Sequence, residues 1–313
     1  MQVKIAVLDD YQGVALEMAD WSAVSRRAQL DVFNDHLADP EAVVRRLLPY
    51  DVVCVMRERT PLRRETIERL PNLKLIASTG PRNASIDPGA AAARGIKVVH
   101  TGYFGSPTVE LTWALILAGT RHIVAEAAAV RSGAWQHTIG DDLSGKTLGV
   151  IGLGNLGAKV AKIGAAFGME VIAWSQNLTA EKTAAVGAVE LVSKEQLLRR
   201  SDIVSIHLVL SERTRGLIGP AELALMKPGA RLVNTSRGPI VAEGALLAAL
   251  HARQIAGAAI DVYDTEPLPA DHPYRSAAHL LATPHIGYVS RGLYERFYRD
   301  TVANVLAWMD ARG

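Results

Sequence analysis

Three side chains in the second half of this 313-residue chain are of types that handle protons and anions: Arg237, Glu266 and His285. Each stands at or just past the end of a run that reads as a buried strand: Ala230–Asn234, Ile255–Val262 and His279–His285. Taken singly, each has a plain use. Arg237 can cap a turn, Glu266 can open the loop before Pro267, and His285 can be a hydrogen-bonded core ring. As a set they do more. A guanidinium holds a carboxylate with two parallel hydrogen bonds, an imidazole passes a proton near neutral pH, and a nearby carboxylate stabilises the imidazolium. An anion clamp, a proton donor and a group that tunes the donor are what a 2-oxo acid needs in order to accept a hydride.

Such residues act together only if a scaffold brings their strand ends to one edge. The stretch Leu148–Gly157 (LGVIGLGNLG) reads as a buried strand, a tight turn and the first turn of a helix, with Gly152, Gly154 and Gly157 fitting G-x-G-x-x-G. The first glycine lets the chain turn, the second leaves room for a pyrophosphate, and the third lets helix and strand touch. The spacing predicts a helix presenting Leu156, Val160, Ile163 and Phe167 on one face and ending at Gly168, followed by a strand over Glu170–Trp174. In that context the glycines point to a dinucleotide site at a helix N-terminus, the alternative being an ordinary strand-to-helix turn.

Ahead of this lies a second alternating pattern. Strands are expected at 3–8 and around 30–33, 51–55, 74–77 and 97–99, with helical segments such as Pro40–Leu48 between them. The alternation predicts a parallel sheet, and the absence of a glycine fingerprint sets the first hundred or so residues apart as a smaller α/β unit. Two of its loops follow strands: Met56–Pro61, with Arg57, and Ser78–Asn83, with Arg82. Strand C-terminal ends are where open α/β sheets bind ligands. Both arginines are candidate contacts to an anionic substrate, and solvated loop charge is the alternative. Glu110–His122 is apolar nearly all round, as in a helix buried in a core or packed against another subunit. A helix is expected from Tyr294 to Met309.

Composition narrows the partners. A net charge of +2 without runs of Lys or Arg argues against nucleic acid or an anionic membrane. The first apolar run is too short for a signal peptide, and Leu111–Thr120 is half the length a bilayer needs. Cys54, the only cysteine, lies in the apolar run Val52–Val55 and reads as core. A soluble cytoplasmic protein without a metal centre is expected.

The blocks Leu148–Gly157, Ser201–His207, Asn234–Gly238, Asp261–Pro267 and Thr283–Gly287, in that order, resemble the D-isomer-specific 2-hydroxyacid dehydrogenase family in its short form, over about residues 50–290. The resemblance implies an α/β fold of two doubly wound parallel-sheet domains with the active site in their cleft. They are a flavodoxin-like substrate domain, 1–99 plus 288–313, and a Rossmann nucleotide-binding domain, 100–287. It implies that the C-terminal helix returns to the first domain, that the helix at Glu110–His122 packs in a homodimer interface, and that the cofactor is NAD or NADP. His285 then is the general acid/base, Glu266 its partner, and Arg237 the group that binds the substrate carboxylate or polarises its carbonyl. Backbone around Ser78, Thr79, Gly80 and Pro81 holds the carboxylate. Asn155 and Leu156 offer N–H groups to the pyrophosphate. Thr235, Ser236 and Asp261 lie near the nicotinamide, with Asp261 accepting from its carboxamide, and Ser175, His207, Leu208 and Gly287 complete the cofactor set.

Two departures from the family pattern stand out. NAD users carry an acid at the end of the second strand of the nucleotide domain, where this chain has Ser175, and no arginine in Ser175–Ala180 replaces it, so NAD and NADP both stay open. In the substrate loop, Arg82, Ala84 and Ser85 replace the usual glycine and acid–amide pair, which favours a substrate with a second anionic group. The chain ends soon after the fold closes, so the regulatory domain of long phosphoglycerate dehydrogenases is not expected. Glu266 stands where formate dehydrogenases have glutamine. The alternative from another class is an NAD(H)-sensing corepressor on the same fold, a branch that keeps the three residues.

Overall fold

Short apolar runs bounded by turns, with helical segments between them, leave the chain one economical solution: parallel strands buried on both faces. The computed structural model describes residues 2–312. The chain divides into two units, Met1–Phe104 with Ser290–Gly313, and Gly105–Val289. Met1 and Gly313, at the ends of the expected first domain, lie outside the described residues.

The first unit holds strands β1 (Val3–Val7), β2 (Ala28–Val32), β3 (Val52–Val55), β4 (Leu75–Ser78) and β5 (Lys97–His100) in the order β2-β1-β3-β4-β5. All neighbours are parallel. This is the flavodoxin-type doubly wound order. β3 and β4 are buried along their whole length. Cys54 sits inside β3, and burial pushes its thiol pKa up to about 12, which keeps it an inert core residue. Helix α1 (Pro40–Leu47) starts where Asp39 accepts hydrogen bonds from the N–H groups of Glu41 and Ala42.

The second unit holds β6 (Thr147–Ile151), β7 (Glu170–Trp174), β8 (Val189–Leu191), β9 (Ile203–Ile206), β10 (Arg231–Asn234), β11 (Gly257–Ile260) and β12 (Leu280–Ala282). Their order, β12-β11-β10-β9-β6-β7-β8, is the Rossmann order with one added strand, and every pairing is parallel. The three-residue strand β8 carries too few apolar residues to show a pattern and was not expected from the sequence. The register is what matters for chemistry. Trp174, Ile151, Ile206, Asn234, Ile260 and Ala282 lie abreast across the sheet. The residues that follow them, Ser175, Gly152, His207, Thr235, Asp261 and Thr283, therefore form one row along its C-terminal edge.

Helices depart from expectation in two places. The segment expected at Glu110–His122 is helix α2, Ser106–Thr120, with Pro107 in its first turn. Its Val109, Trp113, Leu115 and Ile116 are buried in the unit's own core. His122 then adopts φ +52, which breaks the helix, and α3 (Ile123–Arg131) follows with no buried residue. Of the two alternatives for α2 the core is the one seen, and the exposed apolar surface lies in the next helix: Ile123, Val124 and Val130 are exposed, as are Trp135 (77%) and Ile139 (94%) in the loop beyond. The glycine-loop helix, α4 (Asn155–Ala166), buries Gly157, Val160, Ala161 and Gly164. Leu156 and Ile163 are only half-buried, and Phe167 caps the helix end and stacks on Trp113 with ring centroids 4.9 Å apart. The small residues face the sheet because helix and strand approach closely there.

The last helix, α5 (Arg291–Asp310), belongs to the first unit and buries Phe297, Tyr298 and Val305. Among the described residues no single helix is long and apolar enough to cross a membrane; α2 and α3 pass that test only as a pair bent by 63°.

Candidate active site

Three neighbouring strands of the second unit, β10, β11 and β12, end in the loops that carry Arg237, Glu266 and His285. Glu266 and His285 are in direct contact: Nδ1 of the imidazole lies 2.5 Å from Oε2 of the carboxylate. The other carboxylate oxygen accepts the backbone N–H of Tyr263 at 2.9 Å. A carboxylate only accepts hydrogen bonds, so Nδ1 carries the proton of this pair and Nε2 is the ring atom left for proton exchange. The ring edge also meets Tyr288, with centroids 5.4 Å apart.

The histidine is held under strain. His285 has φ +52, a region non-glycine residues enter at a cost of order 1–3 kcal/mol and occupy mainly where the surroundings force it. Asp261, 1% exposed at the end of β11, supplies that force. Its Oδ1 accepts from the Thr283 hydroxyl (2.6 Å) and the Ile286 N–H (2.9 Å), and its Oδ2 accepts from the Gly287 N–H (2.8 Å). These bonds clamp the turn on both sides of His285. Desolvation raises the Asp261 pKa, and the same hydrogen bonds work against that rise. These three contacts all go to the loop that follows β12 and leave about one of the carboxylate's four acceptor sites for the carboxamide the resemblance implies.

Arg237 reaches this neighbourhood through backbone packing. A Cβ on Gly238 would lie 2.1 Å from the carbonyl carbon of Tyr263 and 2.6 Å from the Asp264 nitrogen, so only glycine lets the two loops touch. Asn234, 1% exposed and not singled out from the sequence, folds the Arg237 loop: its Oδ1 accepts the Ser236 N–H (3.0 Å) and its Nδ2 donates to the Arg237 carbonyl (3.0 Å). An asparagine at a strand end followed by small polar residues is the signal for such a turn. The partly buried Arg237 side chain donates to the Ser236 carbonyl at 2.7 Å.

The glycine loop fits a dinucleotide. Gly152 has φ +98, and a Cβ there would meet the His207 carbonyl oxygen at 2.7 Å, so the ends of β6 and β9 close on each other. A Cβ on Gly157 would lie 2.0 Å from the Gly152 oxygen, which enforces the tight turn. Around Gly154 nothing lies within 4 Å of that position, so the backbone is open to a phosphate. The helix begins at Asn155 and Leu156 with no side-chain cap, its first N–H groups and the dipole facing the opening. Ser236 donates to the Leu208 carbonyl (2.6 Å) and Thr235 shares a hydrogen bond with Thr112 (2.8 Å), so both hydroxyls shape the wall. The Gly287 carbonyl accepts from Thr108 at 2.9 Å. His207 retains some solvent contact, and its Nε2 lies 2.8 Å from the Ser205 hydroxyl; desolvation pushes its pKa down to about 4. Ser175 directly follows β7, with Gln176 and Asn177 exposed beside it.

In the first unit Arg57, also at positive φ (+53), brings its guanidinium onto the bare face of Gly80, where a Cβ would lie 1.8 Å from Nη1. It donates to the carbonyls of Thr79 (3.2 Å) and Arg82 (3.3 Å). The loop amides expected to grip an anion are engaged inside the unit: Thr79 N–H on the Val55 carbonyl (3.1 Å) and Gly80 N–H on the Thr101 hydroxyl (2.7 Å). Ser78 is buried and accepts from Asn83, while Pro81 and Arg82 are exposed. Arg82 adds an exposed positive charge beside these amides. No cluster of His, Cys, Asp or Glu suited to a metal occurs among the described residues.

Comparison with known proteins places the chain in a family. Residues 113–287 match the family model described as D-isomer specific 2-hydroxyacid dehydrogenase, NAD binding domain. The chain is 40% identical over 258 residues to a glyoxylate reductase of Aeropyrum pernix, covering 79% of this chain and 77% of that one. It is 38% identical over 267 residues to a hydroxypyruvate reductase of Thermotoga maritima, covering 83% and 85%. A crystal structure of a phosphoglycerate oxidoreductase from Vibrio cholerae superposes with a TM-score of 0.93 at 35% identity, over 99% of each chain.

Gly238→Ala is expected to separate the two loops, lowering turnover at least tenfold and stability by about 1–3 kcal/mol, read by initial rates and urea unfolding. Wild-type rates would show that the close approach is dispensable. His207 is expected to stay neutral at pH 5.5 in an NMR titration. Its folded pKa lies below the unfolded value, so the unfolded chain binds the extra proton and stability falls as pH drops from about 6.5 towards 4. His207→Asn should flatten that part of the stability profile; an unchanged slope assigns it elsewhere.

Proposed function

Because this chain belongs to the D-isomer specific 2-hydroxyacid dehydrogenase family and is an oxidoreductase acting on a CH–OH group with NAD or NADP, we propose that it interconverts a small 2-oxo acid and the matching D-2-hydroxy acid, with His285 as general acid and base. The observation that carries the reading is the 2.5 Å contact between Glu266 and His285 at the end of β12. In the reducing direction the imidazolium gives its Nε2 proton to the oxygen on C2; in oxidation the neutral ring takes it back. Glu266 stabilises the charged ring before it gives up the proton. Arg237 holds the substrate carboxylate or the carbonyl oxygen, fixing orientation and offsetting the charge that develops. A nicotinamide dinucleotide bound at the glycine loop supplies the hydride. Gly152, Gly154, Asn155, Leu156 and Gly157 bind its pyrophosphate, and Ser175, His207, Leu208, Thr235, Ser236 and Gly287 line the rest of its site.

Glyoxylate, hydroxypyruvate or a phosphorylated hydroxy acid are the substrates this reading favours. Arg57 on Gly80 and the exposed Arg82 put positive charge at the ends of β3 and β4, which supports an anionic substrate. Ser175 neither repels nor attracts a 2′-phosphate, which supports use of both NAD(H) and NADP(H). The proposed assembly is a homodimer. Its support is the apolar face of α3 and the loop Trp135–Ile139, which Glu126 pins to the helix by accepting from the N–H and hydroxyl of Thr138. Large exposed apolar surface of this kind marks an interface.

Three outcomes test these readings. His285→Ala should lower reduction of a 2-oxo acid panel by about 10²- to 10⁴-fold and leave cofactor affinity, read by fluorescence titration, nearly unchanged; undiminished turnover removes His285 from its role. Ser175→Asp should shift the NADP/NAD ratio of kcat/KM at least about tenfold towards NAD, and a constant ratio would place specificity elsewhere. The wild type should sediment as two chains and the Val124→Glu, Val130→Glu double variant as one; a dimer in both argues for another surface.

A further inference from the structure

Tyr263 is buried in the loop after β11, three residues before Glu266, and has no part in the chemistry above. It is linked to both halves of the proton-transfer pair, to Glu266 directly and to His285 through Thr283. Its backbone N–H donates to Glu266 Oε1 at 2.9 Å. Its phenol hydroxyl donates to the Thr283 carbonyl at 2.7 Å, the same oxygen that accepts the His285 N–H at 3.0 Å. The turn so anchored is the one that holds His285 at φ +52. Asp261 clamps this turn, and Tyr263 ties the clamped turn to Glu266. The residue is itself fixed from the far side, where the Gly238 backbone packs against its carbonyl group. Burial raises the Tyr263 pKa, so the hydroxyl remains a donor throughout the range in which such an enzyme works.

Resting on the acid–base reading of His285, we infer that Tyr263 is a positioning residue: its amide fixes the Glu266 carboxylate and its hydroxyl fixes the His285 turn, so that one residue sets the distance between them. The ring fills core space and makes no contact that removal of the hydroxyl would disturb apart from Thr283. Tyr263→Phe therefore isolates the hydroxyl without opening a cavity.

The test is a four-way set, wild type, Tyr263→Phe, Glu266→Gln and the double variant, with His285→Ala alongside. Tyr263→Phe is expected to lower kcat for 2-oxo acid reduction about five- to tenfold, the scale of one hydrogen bond, with KM for NADH or NADPH unchanged. Its kcat–pH profile is expected to move to lower pH, because the carboxylate no longer meets the ring squarely. In the Glu266→Gln background the same substitution is expected to add nothing, since residues that act through one contact are non-additive. A Tyr263→Phe enzyme with wild-type kcat and pH profile, or with an equal loss in both backgrounds, overturns the assignment. Loss of turnover in His285→Ala with an unaffected Tyr263→Phe sinks only the part given to Tyr263. Full turnover in His285→Ala sinks the acid–base reading and this inference together.

Discussion

One hydrogen bond, from Nδ1 of His285 to Glu266 at 2.5 Å, joins the loops that leave β12 and β11, and much of the second unit is arranged around it. Neither residue would hold that geometry alone. Glu266 lies in an exposed loop, and His285 occupies a backbone region that costs free energy. The cost is offset by Asp261, a carboxylate withdrawn from water to receive donors from Thr283, Ile286 and Gly287. Its burial is unfavourable, as the raised pKa records, and hydrogen bonds to a charged acceptor, each about 1.5–3 kcal/mol, are strong enough to sustain it. Electrostatic cost at one buried acid thus stabilises a strained turn, and the strained turn presents the imidazole.

Parallel register does the remaining placement. Because the last residues of β7, β6, β9, β10, β11 and β12 are level, the six residues that follow them line one edge without any long side chain having to reach. Strained backbone occurs at such edges in both units. Asp9 after β1, Arg57 after β3 and His285 after β12 all have positive φ. Asp9 is fully buried and held by Thr60 (2.6 Å) and His36 (3.0 Å), and its carbonyl accepts from Arg59 (2.6 Å). The turn after β1 is therefore fixed by the same means as the one after β12, a buried carboxylate that satisfies several partners, whereas the Arg57 turn is held by the Thr79 hydroxyl and the Asn83 amide.

Much of this was legible in the residues. Strands four or five residues long, apolar throughout and separated by helical patterns, announce parallel sheets, and Gly152, Gly154 and Gly157 announce the turn that the packing distances explain. What the sequence hid were properties of contact rather than pattern. Periodicity put Phe167 on the buried face of α4, where the close helix–strand approach instead favours Gly157, Ala161 and Gly164. Composition left α2 either a core helix or one packed on another subunit; the unit's own core covers it, and the exposed apolar face belongs to α3 after the break at His122. Nor does a sequence reveal that Val55 and Thr101 accept from the amides of Thr79 and Gly80. Asn234 and Tyr263 look like ordinary strand-end residues until their partners are seen.

The central claim is that Glu266 fixes the imidazole so that Nε2 alone exchanges the reacting proton. The most direct test is nitrogen NMR of the ring in protein labelled with ¹⁵N-histidine, with His285 identified by substitution. The account predicts a neutral ring protonated on Nδ1, with Nε2 gaining and losing its proton as pH is varied. A neutral ring carrying its proton on Nε2, with Nδ1 bare, would contradict it.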